Sequence, residues 1–221
     1  MTFLFHPMQG RRGVALVEYG MLVGLISAVA VGAVLALGNR TDFNFLIGAL
    51  ETSQINDPLS NFLDNGDFDD VSGMAPTAWG YSASSIAGWS EISGNGLNFE
   101  FHESGWQGVE SVNGGYWLDT NASPGGLTIT QQIDTLENDL VYKITLQAAD
   151  RDPDLDGSAD VYWNGILKGT LDPTVEDVMQ GFTFYIREGE GDGANRVTII
   201  DTGSNDSNGL SLDLVRIFGP D

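Results

Sequence analysis

Beyond residue 96 the chain is a succession of short runs, each closed by a turn, and this rhythm narrows its fold more than any other feature. Eight runs with strand character occupy 97–101, 116–118, 127–132, 141–148, 159–163, 182–186, 196–200 and 212–217. They are rich in β-branched and aromatic residues, which suit a pleated, half-buried surface. Between them stand Asn113-Gly114-Gly115, Ser123-Pro124-Gly125-Gly126, Asp156-Gly157, Asn164-Gly165 and a glycine-rich run at 189–193. Asn164-Gly165, set between Val161-Tyr162-Trp163 and Ile166-Leu167-Lys168, is the strongest hairpin signal, because a type I′ turn needs positive φ at both central residues. Short strands at this spacing predict an antiparallel sandwich.

The other end of the chain has a different texture. From Val14 to Leu37 there are twenty-four residues with a single charge, Glu18. At 1.5 Å per residue a helix of that length spans roughly 36 Å, enough to cross a bilayer core of about 30 Å. A carboxylate at a bilayer centre costs about 2.5–3.5 kcal/mol, so one inside such a stretch points to function. Glu18 lies near the end, where the cost is lower. Arg11 and Arg12 precede the stretch, which places the chain past residue 38 on the outer side. A secretory signal cut near Val31-Gly32-Ala33 is a plainer reading, but the run exceeds the 7–15 residues such a signal uses. A single-span anchor is another. Residues 42–54 continue at helix-compatible spacing, and Pro58 closes the region. The expected class is α+β: a leader at 1–13, a long N-terminal apolar α-helix over 14–54, a linker at 55–63 and an antiparallel β-sandwich over 64–221.

Gly13-Val14-Ala15-Leu16-Val17-Glu18-Tyr19 matches G-x-x-x-x-E-Y and resembles the processing site of type IVb pilins of the Flp/Tad class. The resemblance implies cleavage by a prepilin peptidase after Gly13, leaving Val14 as the mature N-terminus and Glu18 and Tyr19 as the fifth and sixth residues. It also implies partners: copies of the chain in a filament, a Tad-type assembly machinery, and the inner membrane before assembly. In such a filament, the Val14 amino group and the Glu18 carboxylate of a neighbouring subunit pair their charges and set the register, since an unpaired buried charge is costly. Gly20, Gly24, Ser27, Ala28, Gly32 and Ala36 recur at spacings that allow close helix packing.

The second half resembles galactose-binding-like jelly-roll modules over about 64–219. The likeness is carried by the order NGDFD, GGYWLD, LTITQQIDT, YKITLQAADRD, ADVYWNG, FTFYIR, RVTIID and LSLDLVRI. Where that family more often has Asn after the acid of the last strand, this chain reads Leu-Asp-Leu-Val. The resemblance implies a structural Ca²⁺ between the first and last strands, at Asn65, Asp67 or Asp69, and Asp213; polar capping of the sandwich by the same groups is the alternative. It also implies glycan binding. Of the ring-bearing residues, Trp79 (AWGY) and Trp106 (SGWQG) lie in glycine-rich loops and are the candidate sugar platforms.

Charge decides several classes. The chain carries a net −22, and from Thr41 onward thirty acids face six bases, so nucleic acid is not an expected partner. No cysteine is present, which excludes disulfides and thiolate metal sites. His6 and His102 are the two histidines, and His102 beside Glu103 is expected at the surface. With no nucleophile elbow, Walker loop or His-pair zinc motif, no catalytic residue is assigned. A second calcium candidate is Asp152, Asp154, Asp156 and Asp160 around Gly157. It follows the first nine positions of an EF-hand loop but has Trp163 at position twelve, so an acidic hairpin loop is equally open.

The resulting expectation is an extracellular pilus subunit displaying an acidic jelly-roll for adhesion, surface glycans or cations. The alternatives are a minor tip adhesin, a membrane-anchored monomeric carbohydrate-binding protein, or a secreted hydrolase accessory domain.

Overall fold

The computed structural model describes Ile47 and residues 61–219, apart from residues 79, 84, 92–98, 122–125, 152–155 and 205–208. In chain order the strands are β1 (Ala75–Pro76), β2 (Gly80–Ala83), β3 (Ser90–Glu91), β4 (Phe99–Glu103), β5 (Tyr116–Asp119) and β6 (Thr128–Gln132). There follow β7 (Val141–Ala149), β8 (Ala159–Trp163), β9 (Ile166–Leu171), β10 (Gln180–Arg187), β11 (Arg196–Asp201) and β12 (Ser211–Phe218). One sheet runs β1-β2-β4-β5-β12-β7-β10 and the other β3-β6-β11-β8-β9. The strand pairings within both sheets are antiparallel.

Period-2 alternation places the core. Along β7, Tyr142, Ile144, Leu146 and Ala148 are buried in the main apolar cluster, while Lys143, Thr145 and Gln147 are only partly covered. The cluster takes Phe99, Phe101 and Leu118 from the larger sheet, and Ile129, Val161, Trp163, Val197 and Ile199 from the smaller. Trp163 is fully buried, and its indole N–H donates to the Arg187 carbonyl at 2.9 Å. The Asn164-Gly165 turn joins β8 to β9 with φ of 49° and 78°, as a two-residue hairpin requires. The Asn164 side chain donates to the Glu190 carbonyl and accepts from the Arg196 N–H, tying the turn to the loop after β10 and to the start of β11.

Where described, all eight expected runs fall in strands, several extended by a residue or two at an end. β9 is the return strand of the hairpin expected at Asn164-Gly165, whereas β1, β2 and β3, two to four residues long, were not expected. The expected α+β class is corrected. Residues 61–219, where described, form an all-β sandwich with one 3₁₀ turn, Trp106–Gly108, and no described helix is long and apolar enough to cross a membrane. The expected helix over 14–54 lies outside the described residues except for Ile47, so it provides no basis for the class. Residues 61–63, expected at the end of the linker, are bonded into the sandwich. The Phe62 N–H donates to the Ile217 carbonyl at 3.1 Å, Asn61 Oδ1 accepts from the Ile217 N–H at 3.0 Å, and Leu63 is buried.

Leu146 is wholly buried at the centre of the cluster. Leu146→Ala should lower unfolding free energy by about 2–5 kcal/mol, the usual cost of a buried leucine truncation, measured by chemical denaturation.

Candidate functional site

The outer face of the larger sheet carries an unusual group of side chains. In β4, Phe99 and Phe101 enter the core, so Glu100 and His102 project to the other face. In β5, Leu118 enters the core, which turns Trp117 and Asp119 outward. The register then sets Glu100 opposite Asp119 and His102 opposite Trp117. Those pairs would normally meet water. Here a second apolar cluster of Val109, Trp117 and Ala149, with Met179 against it, covers that face.

Beneath this cover lies a buried ion pair. Arg151 Nη2 donates to Asp119 Oδ2 at 2.5 Å, with both side chains almost fully buried. The guanidinium sits 5.0 Å from the Trp117 ring centroid, and its Nη1 donates to Gln107 Oε1 at 3.0 Å. Asp119 Oδ1 accepts from the Asn121 N–H at 2.9 Å. His102, expected at the surface, is 4% exposed and packs 4.4 Å from Trp117, centroid to centroid. Its Nε2 is 3.6 Å from Asp119 Oδ2, too long for a hydrogen bond, and neither ring nitrogen has a hydrogen-bond partner. Glu100 is half-buried; its carboxyl is pushed above the ordinary range by burial, then by the Asp119 charge, with His102 and Arg151 pulling the other way.

The β4–β5 loop folds over this group. Its 3₁₀ turn places Trp106 flat on His102, with rings 5.9 Å apart and 8° from parallel. Gly105 and Gly108 adopt φ of 89° and 93°, values that favour glycine. Trp106 is 36% exposed and forms part of a cleft of about 210 Å³ with Thr77, Ala78, Gly80, Glu103, Ser104 and Gly105. A side chain at position 80 would strike the Phe101 carbonyl, so this glycine lets β2 lie against β4.

The residues singled out from sequence are scattered. Trp106 lies at the cleft; Trp79, Asp152, Asp154 and the processing residues Gly13, Val14, Glu18 and Tyr19 lie outside the described residues. Asp156 accepts from Ser204 Oγ at 2.5 Å, and Asp160 accepts from Thr170 Oγ1 and the Tyr162 hydroxyl. Asn65, Asp67 and Asp69 border a second, acidic hollow with Asp64 and Asp70. Several of their oxygens accept hydrogen bonds from the chain itself. Asn65 Oδ1 caps the Asp70 N–H at 2.9 Å, Asp67 Oδ1 takes the Asp69 N–H at 3.4 Å, and Asp69 takes the Tyr116 N–H and Asn113 Nδ2. Asp213 accepts from the Val112 N–H at 2.8 Å and the Leu214 N–H at 2.6 Å. Calcium gains no support from these contacts. Glu100, Asp119 and Arg151 were not anticipated. The alternation in Phe-Glu-Phe-His-Glu does place Glu100 and His102 on one face, but nothing local connects them to Asp119 or Arg151.

No family model matches the sequence, and no curated protein matches it. Among solved structures, the K1 cleaved adhesin domain of Lys-gingipain from Porphyromonas gingivalis W83 is similar, at 14% identity and a TM-score of 0.45, over 61% of this chain and 92% of that one. A family 35 carbohydrate-binding module from Clostridium thermocellum is similar at 12% identity and a TM-score of 0.39, over 63% and 96%. A putative sugar-binding protein of Bacteroides thetaiotaomicron VPI-5482 is similar at 12% identity and a TM-score of 0.42, over 72% and 100%. None of the three says what this chain binds.

Asp213 also yields a pH dependence. Burial raises its carboxyl above the ordinary range, against the pull of the Val112 and Leu214 N–H groups and the Ser111 hydroxyl. The folded chain therefore holds this proton to higher pH than the unfolded chain does, whose aspartate titrates at about 3.9. Its contribution to stability is present below that value and is lost as pH rises through the raised one. Denaturation midpoints followed against pH should fall across this window, and Asp213→Asn should flatten the fall.

Proposed function

We propose that the sandwich is a carbohydrate-binding module that holds a neutral sugar against Trp106, and that it works outside the cell. The observation that carries this reading is the Trp106 indole, part-exposed at a cleft while stacked on a buried His102. An aromatic plane fixed before binding loses little freedom when an apolar sugar face settles on it. The exposed carboxylate of Glu103 and the hydroxyl of Thr77 supply polar groups beside the ring. A chain of net charge −22 with a carboxylate in the cleft selects against acidic sugars. Glu100 and Asp119 are not among the residues lining the cleft, so binding without hydrolysis is the reading.

Binding of neutral oligosaccharides to wild type and Trp106→Ala, by calorimetry, tests this. Loss of a central aromatic contact should cost about 2 kcal/mol or more, roughly 30-fold in affinity. Equal affinity in the two proteins rejects the assignment of Trp106.

How the module is held at the surface is a separate matter. The filament role rests on the Gly13–Tyr19 motif and the apolar stretch, both outside the described residues, whereas a membrane-anchored glycan-binding protein draws on the apolar stretch and on the sandwich. The second has the wider support. The motif still makes a sharp claim: mass spectrometry of surface material should find a mature chain beginning at Val14. A chain starting at Met1 or near Ala33 removes the pilin reading and leaves the glycan-binding one untouched.

A further inference from the structure

We infer that Glu100, His102 and Asp119 form a binding site for a divalent transition-metal ion, of which Zn²⁺ is the representative, directly beneath the Trp106 platform. This does not depend on what the cleft binds.

Three observations converge. One nitrogen of His102 and one oxygen each of Glu100 and Asp119 lie within 4.8 Å of one another. The His102 Nε2 to Asp119 Oδ2 separation is already 3.6 Å. In a tetrahedral site with bonds near 2.0–2.1 Å, adjacent ligand atoms stand about 3.4 Å apart. Glu100 is the least buried of the three and so the one with most room to adjust. Independently, the His102 imidazole is 4% exposed, yet both ring nitrogens lack a hydrogen-bond partner. Leaving buried polar atoms unpaired is costly, and a metal bond removes that cost for one of the two nitrogens.

The donor set selects the ion. One imidazole with two carboxylates suits Zn²⁺ and its first-row neighbours better than Ca²⁺, which takes six to eight oxygens. Three protein ligands leave a fourth position for water. Charge is favourable too. Glu100 and Asp119 against Arg151 leave one negative charge when the imidazole is neutral, within a strongly acidic chain. Arg151 does not displace the ion. A carboxylate oxygen has more than one lone pair, so Asp119 can ligate while Arg151 and the Asn121 N–H hold its orientation. Hydrogen-bonded partners of this kind commonly position ligating carboxylates. Because His102 carries Trp106 on one side and meets Trp117 on another, metal binding also stiffens the platform above it.

The test is titration of the full chain with Zn²⁺ alone, followed by calorimetry and by tryptophan fluorescence. Wild type should show one saturable site and a fluorescence change at the same stoichiometry. Glu100→Gln, at a half-buried position where the fold should survive, and His102→Gln should each weaken binding by more than about 100-fold, and Arg151→Lys by about 10- to 100-fold. Asp156→Asn should leave it unchanged. If His102→Gln fails to fold, Glu100→Gln decides. Equal Zn²⁺ affinity in Glu100→Gln and wild type overturns the proposal in favour of scattered surface acids. Absence of saturable Zn²⁺ binding to wild type overturns it outright.

Discussion

The Arg151–Asp119 ion pair is the contact on which the outer face of the larger sheet depends. Two charges taken out of water lose several kcal/mol of solvation each, and only close geometry with further hydrogen bonds repays it. Here the repayment is distributed. Asp119 takes Arg151 and the Asn121 N–H, while Arg151 reaches Gln107 and lies over Trp117. Those contacts belong to the end of β5, the segment after β7 and the β4–β5 loop. Removing either partner would strand a buried charge at about 3–5 kcal/mol and release the loop that carries Trp106.

The cover over this face sets the surroundings of His102 and Trp106. A sheet in a sandwich ordinarily buries one face and solvates the other. The loop from Ser104 to Gly115 instead closes over β4 and β5. It is held by the Ser104 N–H donating to the Gly115 carbonyl at 2.9 Å, by Ser104 Oγ donating to Glu110 at 2.7 Å, and by Asp213 accepting from the Val112 N–H. Val109 and Trp117 fill the space beneath. His102 is thereby sealed in, and Trp106 is presented on its far side.

Much of the sandwich was legible from local pattern. Alternation in 141–148, 159–163 and 196–200 needs only the two-residue period of a strand, and Asn164-Gly165 needs only the backbone freedom of those two residues. The short strands β1, β2 and β3 escaped because runs of two to four residues have no period to detect. His102 was misplaced for a related reason. Its neighbour Glu103 is exposed and polar, and nothing within β4 signals that the loop directly after it folds back to cover His102.

Local pattern and composition account for the strand–turn rhythm, the alternation of each long strand, the acidic surface and the absence of thiol chemistry. These follow from covalent geometry, side-chain period and composition, which act over a few residues. Only the tertiary structure decided that Glu100, His102, Asp119 and Arg151 meet, and that Trp106 lies flat on a buried imidazole. Those neighbours are separated by up to fifty-one positions in the chain, from Glu100 to Arg151. They are joined by register between strands and by a loop closing on an ion pair, and long-range pairing of this kind leaves no period in the sequence.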